Sequence, residues 1–92
     1  MENIIVTVTN LSQSFLYDIE VPTSVPVGKL KDDIVEALNG YDSALCLRTE
    51  ITSLFCNRMG RSLTDDETFE SAGVWNGDYI TMIGDKNGRN YI

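Results

Sequence analysis

The chain has 92 residues, 42% hydrophobic and 23% charged, which fits one small globular domain and excludes both a disordered chain and two independent cores. Seven Lys and Arg against 14 Asp and Glu leave a net charge of -7, so a nucleic-acid partner is not expected, because phosphate binding needs a basic surface. No run approaches the ~20 apolar residues of a membrane span. The opening MENIIVTVTN lacks the basic and apolar regions of a secretory signal. A cytoplasmic protein without direct membrane insertion is expected.

In chain order, Ile4–Thr9 is β-branched throughout, with Ile4, Val6 and Val8 alternating against Ile5, Thr7 and Thr9, which predicts a strand. After a polar connection, Phe15, Tyr17, Ile19 and Val21 alternate with Leu16, Asp18 and Glu20. These two segments make a β-hairpin whose outer face meets water. Pro22 ends the second strand. Thr23 or Ser24 can cap a helix, and Pro26 suits its first turn. Val27, Leu30, Ile34, Ala37 and Leu38 then fall on one helical face, which predicts an amphipathic helix over Val27–Asn39 with Gly40 as its C-cap.

Residues 41–53 read equally as strand or loop. Leu54–Asn57 reads as a strand followed by a turn at Arg58–Arg61, and Leu63 stands alone among polar residues. Acids at Asp65–Glu67 suit the start of a short helical turn. Asn76-Gly77-Asp78 is a turn signal before a last strand at Tyr79–Ile83. The expected domain covers residues 1–84. Residues 85–92 read as a polar C-terminal tail anchored only by Tyr91 and Ile92. The expected core is Ile4, Val6, Val8, Tyr17, Ile19, Val21, Val27, Leu30, Ile34, Leu38, Leu54, Cys56, Leu63, Phe69, Val74, Ile80 and Met82.

The sequence holds no histidine, so the usual neutral-pH base and the commonest metal ligand are missing. The two cysteines, Cys46 and Cys56, are expected as thiols and are too few to complete a zinc site. Asp65, Asp66 and Glu67 lack the spacing of a calcium loop. No catalytic residue, metal site or cofactor is expected.

The order hairpin, helix, two further strands and a short helical turn predicts an α+β fold of the β-grasp type. It consists of a mixed four- to five-stranded sheet with one main helix packed across it, the first and last strands being central and parallel. The spacings of Ile19, Val21, Val27, Leu30 and Ile34, and of Leu63, Phe69, Val74, Ile80 and Met82, resemble those of ubiquitin's core. Two runs narrow the resemblance, Asp18–Val27 with its Val21-Pro22 and Pro26 step, and Phe69–Ile80 with its Asn76-Gly77-Asp78 turn. They look like the YukD/EsaB-type ubiquitin-like proteins of bacterial type VII (WXG100) secretion systems. That resemblance implies a non-conjugated ubiquitin-like binding module, accessory or regulatory to such a system and not an enzyme. Its implied partners are proteins, either cytoplasmic parts of the membrane complex or a second copy forming a homodimer. A generic ubiquitin-like adaptor is the alternative reading. A conjugated modifier or sulfur carrier is disfavoured, because Gly88-Arg89-Asn90-Tyr91-Ile92 stands where ubiquitin has a terminal diglycine. The isoleucine of ubiquitin's recognition patch aligns with Asn57, while Ile83 keeps one apolar member.

Three residues are candidates for protein contact. Trp75 precedes a turn, where it can serve as an anchor or pack over the core edge. Phe55 points outward if Leu54 and Cys56 point in, giving an apolar platform unless the 41–53 stretch covers it. Arg58 supplies charge within a local group with Arg48 and Arg61. Leu16, on the outer hairpin face, is a further candidate.

Overall fold

The computed structural model describes residues 2–13, 15–41 and 53–84. The order of elements is β1 (Asn3–Asn10), β2 (Leu16–Pro22), α1 (Val27–Tyr41), β3 (Ser53–Cys56), β4 (Arg61–Leu63), α2 (Phe69–Ala72) and β5 (Tyr79–Ile83). The expectations for the 41–53 stretch, apart from Tyr41 and Ser53, and for residues 85–92 fall outside the described residues, as do Cys46 and Arg48.

The strands form one mixed sheet in the order β2-β1-β5-β3-β4. β1 and β5 are central and parallel, with Thr7 opposite Tyr79 and Thr9 opposite Thr81. β2 joins β1 as an antiparallel hairpin, and β3 runs antiparallel to both β5 and β4. This is the β-grasp arrangement that the alternation of apolar residues predicts. Because side chains in a strand alternate faces, the inner row of Val6, Val8, Ile19, Val21, Leu54, Cys56, Ile80 and Met82 is buried against α1.

The main corrections concern short elements and the helix. β4 spans three residues with Leu63 alone buried, too short to show a period. α1 extends to Tyr41 and carries Gly40 within it, so Gly40 is not its cap. Its buried arc is rotated from the one read: it takes in Val35, fully enclosed, and leaves Ala37 exposed. Ile4 and Tyr17 are only partly buried and pack on the rim of the core.

The start of α1 is not capped by Thr23 either. The Thr23 amide and hydroxyl both donate to the Glu2 carbonyl, at 2.9 and 3.1 Å. The first helical amides of Val27 and Gly28 donate instead to the carbonyls of Glu67 and Asp65, at 2.7 and 3.1 Å. Tertiary contacts thus satisfy groups that a capping side chain would otherwise take. The short helix begins after the acids, with Thr68 and Ser71 forming a reciprocal capping box.

Candidate functional site

The three residues named from the sequence are placed by the ends of β3 and β5. Phe55 lies on the outer face of β3, opposite Thr81 of β5 and Ser62 of β4. It is half-buried and borders a shallow groove with Leu11, Asn57 and Ile83. The outward apolar residue of the third strand is therefore Phe55. Asn57 stands just beyond the strand end, where its side chain accepts from the Thr81 hydroxyl at 2.7 Å.

Arg58 and Trp75 meet around Asp78. Trp75, Asn76, Gly77 and Asp78 form a turn in which the Asp78 amide donates to the Trp75 carbonyl at 3.0 Å. Gly77 has φ of 92°, a conformation that side chains disfavour. The Asp78 side chain folds back to accept the Trp75 amide at 2.8 Å. From the loop after β3, Arg58 Nε donates to both carboxylate oxygens of Asp78, at 2.9 and 3.1 Å. Arg58 Nη2 also donates to the Gly73 carbonyl at 2.7 Å, at the end of α2. The guanidinium carbon lies 3.8 Å from the centroid of the Trp75 ring, a cation–π stack. Trp75 as a whole nevertheless remains 63% exposed.

Asp78 is buried, and the Cys56 thiol, deep in the core, approaches it at 3.9 Å. Burial pushes the Asp78 carboxyl up, but the hydrogen bonds from Arg58 and the Trp75 amide, with the Arg58 charge, outweigh it and hold the group below its usual range. The bond to Asp78 in turn raises Arg58.

Of the arginine group foreseen from the sequence, Arg48 lies outside the described residues, and the other two are each engaged within the chain. Arg61 lies on β4 in register with Cys56 and pairs with Glu67 through two bonds of 3.1 and 2.9 Å. Arg58 and Arg61 each have their own intramolecular acid. The Arg61 bond, joined by the Thr64 amide, lowers Glu67 to about 2. Asp78 was legible only as a turn residue, although it organises the cluster. Tyr79 and Ile5, each about half exposed on the outer face, were legible through alternation alone. Leu16 is exposed on the outer face of β2, opposite Thr9.

Among the described residues no group of three or more Cys, Asp or Glu is placed to hold a metal ion. Among them, too, no helix is long and apolar enough to cross a membrane. The site offers an exposed aromatic ring, a stacked guanidinium and an apolar platform, which are the materials of protein recognition.

The family model of the WXG100 protein secretion system (Wss) protein YukD matches residues 4–82. The chain belongs to the YukD family. The fold of this YukD-family chain is shared with solved ubiquitin-like structures. It is similar to Caldiarchaeum subterraneum ubiquitin, at 24% identity with a TM-score of 0.69, covering 95% of this chain and 99% of that one. It is also similar to the ubiquitin-like domain of the Mycobacterium tuberculosis type VII secretion system protein ECCD1, at 22% identity with a TM-score of 0.68, covering 91% and 100%. The EccD5 ubiquitin-like domain from Mycobacterium xenopi superposes with a TM-score of 0.72 at 13% identity, covering 91% and 96%. No curated protein sequence matches the chain. The YukD family ties the chain to type VII secretion, and the structural likenesses establish the ubiquitin-like fold.

Proposed function

We propose that this YukD-family protein is an accessory or regulatory component of a bacterial type VII secretion system, working in the cytoplasm by binding a protein partner and not by catalysis. The observation that carries the reading is Trp75, 63% exposed as a residue yet held by Arg58 on its ring and by its own amide on Asp78. A large apolar surface fixed in place loses little side-chain entropy when a partner covers it, which favours its use as an anchor. Arg58, stacked on the ring, adds charge, and Phe55 adds an apolar platform on the outer face of β3. The ubiquitin-like domain of ECCD1 belongs to a type VII secretion protein, which supports cytoplasmic parts of the membrane complex as the partner class.

The test is deletion of the gene in its host, followed by complementation with the unaltered gene and with Trp75→Ala, Phe55→Ala and Arg58→Ala variants shown to fold. Loss of export of the small WXG100 substrates on deletion, restored by the unaltered gene and not by the Trp75 variant, is expected. Unaltered export in the deletion strain would overturn the secretion role and favour a generic adaptor. Full rescue by all three variants would move the binding face elsewhere.

A further inference from the structure

β2 is an outer strand of the sheet, and β1 is its only strand partner among the described residues. The two pair without interruption from Asn3 opposite Pro22 to Thr9 opposite Leu16. The far side of an edge strand presents backbone N–H and C=O groups that only water or another strand can satisfy. Natural edges are usually blunted by Lys, Pro or a bulge. β2 has none of these before Pro22. Its outward row is instead acidic, with Asp18 and Glu20 both exposed.

These carboxylates are oriented by neutral donors. The Thr7 hydroxyl donates to Asp18 at 2.6 Å, and the Asn3 side-chain amide donates to Glu20 at 3.1 Å. The hydrogen bonds fix the acids along the strand without cancelling their charge. Among the described residues neither acid is in an ion pair.

Beside this edge, between β2 and α1, lies a groove of about 120 Å³ lined by Ile19, Val21, Leu30, Ile34 and Ala37, with Asp33 also in its wall. An apolar cavity of about 150 Å³ accepts a benzene-sized group, so this one is of the right scale for a single aliphatic side chain. A strand added alongside β2 would turn alternate side chains toward the groove and the others toward the acidic row.

We propose that β2 and this groove receive an extended segment of a partner protein as an added strand, and that the segment alternates apolar with basic residues. Its aliphatic side chains meet the groove beside α1, and its Lys or Arg side chains stand across from Asp18 and Glu20. Main-chain hydrogen bonds supply affinity, and the alternating side chains supply selection.

A second copy of this chain does not fit the requirement. Antiparallel self-pairing centred on Asp18, Ile19 or Glu20 sets an acid directly opposite an acid, which is destabilising across strands. The acidic row therefore both discourages dimerisation at this edge and selects a basic partner. The β2 edge is separated from Phe55 by β1 and β5, so this assignment and the secretion reading stand or fall by different experiments.

The experiment titrates the full isotope-labelled chain with an end-blocked synthetic peptide, Lys-Val-Lys-Val-Lys-Ile-Lys, followed by NMR. Amide shifts are expected to concentrate at Leu16–Val21, with changes at Leu30 and Ile34, and to weaken as salt is added. A peptide with Glu in place of each Lys should bind about tenfold more weakly or worse, and the Asp18→Asn/Glu20→Gln double variant should lose a similar factor for the Lys peptide. Those replacements keep shape on an exposed face, and an unchanged spectrum of the free variant confirms its fold. Absence of shifts along β2 at millimolar peptide, shifts centred on Phe55 or Trp75, or equal binding of the Lys and Glu peptides would overturn the proposal. So would a concentration-dependent dimer of the free chain joined through β2.

Discussion

The Arg58 guanidinium is held between the Asp78 carboxylate, 2.9 Å from Nε, and the ring of Trp75, 3.8 Å from its carbon to the ring centroid. One side chain thereby ties the loop after β3 to the turn before β5. Asp78 is the organising member, because it is buried and its carboxylate accepts from Arg58, the Trp75 amide and the Cys56 thiol. Asp78→Ala should cost about 1–3 kcal/mol, the range for leaving buried partners unsatisfied. Urea unfolding with an unchanged m-value checks it. The chain has one tryptophan, so its fluorescence reports the cluster directly. Arg58→Ala should shift Trp75 emission while leaving the far-UV circular dichroism unchanged.

Acid should loosen the fold through two carboxylates. Asp78 sits below its ordinary value in the folded state, and Glu67 falls to about 2. A group whose pKa is depressed by folding binds fewer protons when folded, so its contribution is complete above its unfolded pKa of about 4 and is lost as pH falls through the folded one. Stability should therefore decline from about pH 5 toward pH 2. Asp78→Asn should flatten that slope, and Glu67→Gln should flatten it further. Chemical denaturation midpoints measured across the range test the ordering. A midpoint that rises on acidification would contradict both assignments.

The helix face is open to a direct comparison. Ile34 and Val35 are 1% and 0% exposed, whereas Ala37 is exposed. Ile34→Ala should cost about 2–5 kcal/mol by lost burial and a residual cavity. Val35→Ala removes fewer carbons and should cost about 1.5–3 kcal/mol. Ala37→Ser should stay within about 0.5 kcal/mol. Equal costs at positions 35 and 37 would mean that the buried arc of α1 has been drawn wrongly.

Two glycines should respond to alanine with opposite signs. Gly77 has φ of 92°, and a methyl group there would meet nothing within 4 Å, so the cost is conformational alone. Gly77→Ala should destabilise by about 1–2 kcal/mol. Gly40 lies within α1, where an added methyl group also meets nothing within 4 Å. Gly40→Ala should stabilise by about 0.5–1 kcal/mol. Thermal denaturation of both variants checks the pair.

The parts of the molecule that bury a repeated pattern were legible before any coordinates. Val6, Val8, Ile19 and Val21 announce their strands by alternation, and Leu30, Ile34 and Leu38 announce α1 by helical spacing. β4 was not legible, because Leu63 is its one buried residue and a single residue has no period. Val35 was missed because the apolar stripe was drawn rotated toward Ala37, whose small apolar side chain fits either face. The candidate site was less legible than the core for a different reason. Trp75 and Arg58 stand out as residue types, but nothing local says that Arg58 will reach Asp78, which lies 20 positions away in the chain. A buried acid in a turn reads as a turn residue until its partner is known.

The central pairing of β1 with β5 has a consequence for how the protein is made. Thr7 and Tyr79 are neighbours in the sheet but stand near opposite ends of the chain. Ribosomes add roughly 5–20 residues per second, so the first strand emerges seconds before the strand that completes its environment. During that interval Val6 and Val8 can be covered only by the hairpin and by α1, whose first amides themselves await the carbonyls of Asp65 and Glu67. The nascent chain thus carries an unfinished apolar surface until its last strand clears the exit tunnel. Topologies closed by such distant contacts fold slowly for their size.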